Sequence, residues 1–332
     1  MNDNQFHIID TGEEAPRNKF PILAQLGVLG VFMLFLFGSW LLQPHDNAET
    51  AAEIQQQEIS TDQEKYPLVP QKIEEVSLQA QAAYVWDIKG QRALYSKNSS
   101  DVLPLASITK LMTSLLAYEL IAGEETVSIP LSAIRQSGSN GLVAGERLEV
   151  EALSELALVS SSNDAAYALG ANVGSLLGDR DPQSQFITGM NIRAEELGLY
   201  TLDFKNTTGL DLSLTEPGAV GSAKDVSFLM EYIINEYPNI ILPTVNEEVF
   251  IYNTEGAYHQ AANTNDFVRE IPNILGSKTG YTDLAGGNLT IVFDAGLNRP
   301  IVVTVLGSTR EDRFTDVLSL ISEVQKSLSN NN

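Results

Sequence analysis

Ser107 and Lys110 stand three residues apart in Ser107-Ile108-Thr109-Lys110. On a helix that spacing puts both side chains on one face, with the amine within hydrogen-bond reach of the hydroxyl. A serine hydroxyl is a weak nucleophile near neutral pH, and a lysine can take its proton only where burial or a nearby cation lowers the amine's pKa. The pair reads as nucleophile and base. Alone the pattern is weak, because ordinary composition yields it about once or twice in a chain of this size. Ser107 is then a plain helix cap and Lys110 a solvated helix residue.

Two further motifs follow in order, Ser161-Ser162-Asn163 and Lys278-Thr279-Gly280. Ser161 and Asn163 fall at a break in a helical stretch, where a hydroxyl and an amide can hold a lysine or a substrate amide; the plain alternative is a Ser/Asn cap. Lys278, facing Lys110 across a cleft, supplies the cation that depresses the base. On a strand edge, Lys278 and Thr279 can grip a terminal carboxylate and Gly280 admits a substrate backbone. The backbone N–H of Tyr281 can join that of Ser107 as an oxyanion hole. The alternative there is an exposed edge strand with a protective lysine.

The elements that must position these residues follow from local pattern. Residues 82–87 and 92–95, around the Lys89-Gly90 turn, predict a hairpin. Apolar residues at helical spacing predict a helix over 108–121, with Ser107 at its N-terminus. Further helices are predicted over 150–159 continuing past a break into 165–171, over 186–197 and over 313–328, with strands at 289–293 and 301–306. Strands at both ends and helices between suit an α+β fold, an antiparallel sheet whose first and last strands meet around an inserted helical subdomain.

Residues 20–42 carry no charge, match a hydrocarbon core of about 30 Å as a helix, and predict an uncleaved transmembrane anchor. Arg17 and Lys19 precede the span and the next basic residue is Lys65, so residues 1–19 are expected in the cytoplasm and the rest outside a bacterial membrane. Residues 43–71 are polar, Gln-rich and acidic and read as a tether, leaving 72–332 as the catalytic domain. The net charge of −23 argues against a nucleic-acid partner. With no cysteine and only His7, His45 and His259, neither a thiolate nucleophile nor a zinc cluster is expected, and no metal or cofactor is called for.

Together the three motifs resemble those of the low-molecular-mass penicillin-binding proteins, the serine D-alanyl-D-alanine carboxypeptidases of peptidase family S11. The resemblance runs over roughly 79–328. It includes 104–113 (PLASITKLMT), Gly141-Leu142 with Gly145-Glu146, Ser161-Ser162-Asn163-Asp164-Ala165-Ala166 and Met190-Asn191. It continues through Glu196-Leu197-Gly198, Phe204-Lys205-Asn206 with Gly209-Leu210-Asp211, Asn263-Thr264-Asn265 and Gly276 to Thr282. It implies a five-stranded antiparallel sheet packed by helices, as in β-lactamases. It also implies an acyl-enzyme at Ser107, release of the terminal D-alanine of peptidoglycan stem peptides, and acylation of the same serine by β-lactams.

Two departures stand out: Ser162 replaces the usual glycine of the middle motif, and no β-rich domain with an amphipathic anchoring helix follows residue 328, so anchoring is expected to pass to the N-terminal span. A β-lactamase would need a deacylating base, and no Glu-x-Glu-Leu-Asn-like loop follows the middle motif. A D,D-endopeptidase cutting cross-links uses the same acyl-enzyme. A wall-binding protein without catalysis would have no chemical need for the intact set.

Overall fold

The computed structural model describes residues 70–74, 76–138 and 141–329. The tail over 1–19, the predicted span over 20–42 and the tether as far as residue 69 lie outside the described residues. Among the described residues no helix is long and apolar enough to cross a membrane.

The central element is a five-stranded antiparallel sheet. Its strands are β1 (Ala82–Asp87) and β2 (Arg92–Lys97) from the start of the domain, and β10 (Ile274–Thr282), β11 (Gly286–Asp294) and β12 (Pro300–Ser308) from its end, in the order β10-β11-β12-β1-β2. The first and last strands meet as expected, with Ala82 opposite Leu306 and Asp87 opposite Ile301. Between β2 and β10 run short strands β3 (Leu103–Pro104), β4 (Thr126–Ser128), β5 (Arg147–Glu149), β6 (Asp203–Phe204) and β7 (Ala219–Gly221), and a hairpin of β8 (Glu248–Tyr252) and β9 (Tyr258–Ala262). The helices are α1 (Lys110–Leu120), α2 (Val150–Val159), α3 (Asn163–Gly174), α4 (Pro182–Glu196), α5 (Ala223–Glu236), the single turn α6 (Pro238–Ile241) and α7 (Asp312–Ser329).

The sheet is a middle layer, and its sequence shows it. Leu289, Ile291 and Phe293 of β11 pack with Val303 and Val305 of β12 against Val317, Leu320 and Val324 of α7. The alternate residues Val292, Val302 and Leu306 face the helical side with Leu111, Leu115 and Leu229. Successive side chains point to opposite faces, so a strand covered on both faces reads as a continuous apolar run. Each such side chain, fully buried, contributes about 1.5–3 kcal/mol of transfer free energy.

Two polar ties fix the strands. Asp87, with no exposed surface, accepts from Arg299 Nε and Nη2 across the sheet and from the Gly90 backbone in the β1–β2 turn. Asp316 of α7 accepts from the backbone of Gln79 and Ala80 and from Ser308 Oγ.

The predicted helix over 108–121 is shorter and begins later. Residues Ala106–Thr109 form a 3₁₀ turn, and the α-helix proper starts at Lys110. Ser107 therefore does not cap an α-helix. The cause is local: Ala106 has φ +49°, a left-handed conformation that prevents the helix from extending back through it. Helix α5, the β8–β9 hairpin and the small strands were not among the predicted elements, although Ser222 caps α5 and Val226, Leu229, Met230 and Ile233 recur at helical spacing.

Candidate active site

Ser107 is placed by a tight corner between β3 and α1. Leu105 N donates to Ala219 O of β7, and the Thr109 hydroxyl donates to Ala106 O at 2.7 Å, which holds the left-handed residue. Lys110 follows, fully buried, with Nζ 2.7 Å from Ser107 Oγ and donating to Thr208 O at 2.8 Å. Burial, and secondarily the charge of Lys278, hold the Lys110 amine well below the usual lysine range. A neutral amine donates to the Thr208 carbonyl and still offers a lone pair to the Ser107 hydroxyl. The Thr208 carbonyl is set by Asn206, whose Oδ1 accepts from Thr208 N, Thr208 Oγ1 and Gly209 N.

Lys278 lies on edge strand β10, also buried, and donates to Ser161 Oγ at 3.0 Å and Thr279 O at 3.1 Å. Burial first, then the Arg313 charge, lower its amine to about 7. Ser161 sits in the break between α2 and α3 at φ +59°, and that left-handed residue turns its hydroxyl toward the lysine rather than along the helix. Ser162, at the position where a glycine is usual in the resembled motif, is buried and caps α3 by accepting from Ala165 N. Its hydroxyl serves the helix end and not the cleft. Asn163 Nδ2 donates to Ser137 O at 2.7 Å, while its Oδ1 is buried and unpartnered among the described residues.

Gly280 lines the cleft and also packs against the serine turn. A Cβ there would stand 2.8 Å from Leu105 O and 3.2 Å from Ser107 N, so the glycine admits the chain's own serine turn against β10. Its carbonyl accepts from Arg313 Nη1 at 2.8 Å. Thr279 Oγ1 lies 2.6 Å from Thr264 Oγ1, and the Tyr281 ring stacks beneath the Arg310 guanidinium at 5.2 Å. Asn288, one strand inward, donates to Pro104 O and Leu105 O and ties the serine turn to the sheet.

These elements bound a cleft of about 750 Å³ lined by Ser107, Ser161, Thr264, Thr279, Gly280 and Tyr281, with Arg310 and Arg313 at its side. Of the eight residues singled out by sequence, five line this cleft. Lys110 and Lys278 are buried behind the hydroxyls they touch, and Asn163 joins through Ser137. Thr208, Thr264, Asn288 and Arg313 were given no role by sequence reasoning. Asn206, Gly209 and Thr264 lie within the resembled segments, but a backbone acceptor such as Thr208 O leaves no side-chain signal. The set can activate a hydroxyl, neutralise an anionic group beside it, and exclude water from the base.

A family model described as D-alanyl-D-alanine carboxypeptidase, peptidase S11, matches residues 69–309. D-alanyl-D-alanine carboxypeptidase DacF of Bacillus subtilis is 30% identical over 253 residues, covering 74% of this chain and 62% of that protein. DacC of Escherichia coli is 28% identical over 264 residues, and the chain again spans 62% of it. A D-alanyl-D-alanine endopeptidase of Escherichia coli is 28% identical over 232 residues, covering 68% of this chain and 70% of that one. The crystal structure of penicillin-binding protein D2 from Listeria monocytogenes in its ampicillin-bound form is 28% identical with a TM-score of 0.63, covering 76% of this chain and 99% of that one. The fold is thus the α+β fold of penicillin-binding proteins, and the chain belongs to peptidase family S11, the D-alanyl-D-alanine carboxypeptidase family.

Proposed function

We propose that this protein is a serine D-alanyl-D-alanine carboxypeptidase that removes the terminal D-alanine from peptidoglycan stem peptides through an acyl-enzyme at Ser107. The observation that carries this reading is the 2.7 Å approach of a fully buried, depressed-pKa Lys110 amine to the Ser107 hydroxyl. Neutral Lys110 takes the hydroxyl proton as Ser107 Oγ attacks the carbonyl of the penultimate residue. The backbone N–H groups of Ser107 and Tyr281 receive the developing oxyanion. Collapse breaks the peptide bond, and the departing D-alanine amine takes the proton back from Lys110, with the Ser161 hydroxyl and Lys278 as a relay on the other side. Water then hydrolyses the ester, its proton passing to Lys110 and on to Ser107 Oγ.

In this reading Lys278 and Thr279 hold the terminal carboxylate, and Asn163, with an unpartnered buried amide oxygen, meets the substrate amide. β-Lactams acylate Ser107 in place of the peptide, in keeping with the ampicillin-bound relative. Residues 20–42 anchor the chain in a bacterial membrane with residues 1–19 cytoplasmic, and 43–71 tether the domain over 72–332 outside; the uncharged apolar run supports this.

The endopeptidase relative, of which this chain spans 70%, supports a second reading in which cross-links are cut by the same acyl-enzyme. Free D-alanine released from a muramyl pentapeptide, beside Ser107→Ala and beside cross-linked dimers, tests both. Release abolished in the variant supports the carboxypeptidase. Cleavage of dimers alone moves the activity to endopeptidase, and no reaction with either rejects the enzymatic reading.

A further inference from the structure

The β8–β9 hairpin carries three exposed aromatic rings on one face. Tyr252 stands directly opposite Tyr258, and Phe250 opposite Gln260, in an antiparallel register that also places Glu248 opposite Ala262. Opposed residues and their i+2 neighbours share a face, so Phe250, Tyr252, Tyr258, Gln260 and Ala262 form one surface. The other face, through Ile251 and Ala261, is buried in the core. Phe250, Tyr252 and Tyr258 remain 48%, 61% and 59% exposed, although their rings lie 5.5–6.0 Å apart in tilted and edge-on contacts. The same surface runs into the cleft, because Ala262 at the end of β9 lines it, followed by Asn263 and Thr264.

We infer that this aromatic face is a subsite for the glycan strand that bears the stem peptide. The inference rests on the peptidoglycan reading above. Three observations favour a saccharide. Aromatic faces interleaved with hydrogen-bonding groups, here the Tyr252 and Tyr258 hydroxyls and the paired Gln260 and Glu248 side chains, suit a ligand with apolar C–H faces and peripheral hydroxyls. Tyr258 lies four residues before Ala262, about 14 Å of rise, and an extended five-residue stem spans at most roughly 17 Å. A peptide that leaves the cleft past Ala262 therefore has a reach comparable with the length of strand leading to the rings. The chain's net charge of −23, with Glu248 and Glu255 on the hairpin itself, disfavours an anionic lipid surface and leaves an uncharged sugar acceptable.

The full chain, solubilised in detergent, is compared with a triple variant Phe250→Ser, Tyr252→Ser, Tyr258→Ser and with Tyr258→Trp, after their melting curves are matched. The ratio of kcat/KM on glycan-linked pentapeptide to that on sugar-free pentapeptide is expected to fall about tenfold in the triple variant, through KM, and to be retained with tryptophan. Peptide-free glycan strands are expected to bind the unaltered chain and not the triple variant, a readout that stands even if neither peptide is cleaved, which would sink the activity and not the subsite. An unchanged ratio, equal loss on both substrates, or equal binding of bare glycan overturns the subsite. So does a change confined to oligomeric state, which would assign the face to a second copy of this chain.

Discussion

A Cβ placed on Gly280 would lie 3.2 Å from the backbone nitrogen of Ser107 and 2.8 Å from the carbonyl oxygen of Leu105. The strand that carries Lys278 and the turn that carries the nucleophile are therefore in backbone contact, and the width of the cleft floor is set by a missing side chain. The contacted atoms are backbone and cannot rotate away.

Gly280→Ala must push the serine turn off β10. Since a displacement of about 1 Å near reacting groups costs on the order of 10²-fold in rate, acylation of Ser107 by a penicillin should slow by that order. The glycine's φ is not left-handed, so the strain is steric rather than conformational, and the backbone clash should lower stability by about 1–3 kcal/mol, as overpacking does. Stopped-flow acylation beside a melting curve checks this; an alanine variant with the native acylation rate refutes the packing argument.

Lys278 contributes its charge to depressing Lys110, and its own amine titrates at about 7, so the effect operates below that pH. Removing a cation raises a neighbouring amine's pKa. In Lys278→Gln the acid limb of the acylation rate should move to higher pH, with a loss of about 10²–10³-fold at the plateau. An acid limb that stays in place or moves down would show that Lys110 is tuned by burial alone.

The same lysine makes stability depend on pH. Its folded pKa is lowered to about 7, so between that pH and the free-lysine value near 10.4 the unfolded chain binds more protons than the folded one. Stability from this group therefore rises with pH through the window and is lowest below it, and buried Lys110 acts in the same direction. Lys278→Met should gain in urea midpoint over the native chain at pH 7 and lose most of that gain by pH 10. Equal gains at both pH values would contradict the assignment.

Arg299 is the partner of an Asp87 with no exposed surface. Arg299→Ala leaves a buried carboxylate facing the Gly90 amide and the partly exposed Arg92. Breaking a buried pair from one side costs about 3–5 kcal/mol. Urea unfolding should show a loss of that size; a loss below about 1 kcal/mol would mean that water or Arg92 replaces the lost partner.

Much of this molecule was legible before its structure. The paired end strands, the 150–159 and 165–171 helices with Ser161 in their break, and the edge position of Lys278 follow from periodicity and motif order. The start of α1 was not, because the left-handed φ of Ala106 falls on a residue whose type favours helix. Nor was Gly280's partner, since a long-range backbone approach has no local signature. The β8–β9 hairpin was not predicted because its strands bury only Ile251 and Ala261 fully, which leaves little inward alternation to mark them.

The most direct test of the central claim is mass spectrometry of the full chain after incubation with a penicillin. One covalent adduct is expected, mapped to the peptide containing Ser107, absent in Ser107→Ala and slow to form in Lys110→Gln. An adduct on another residue, or undiminished labelling of Ser107→Ala, would contradict it.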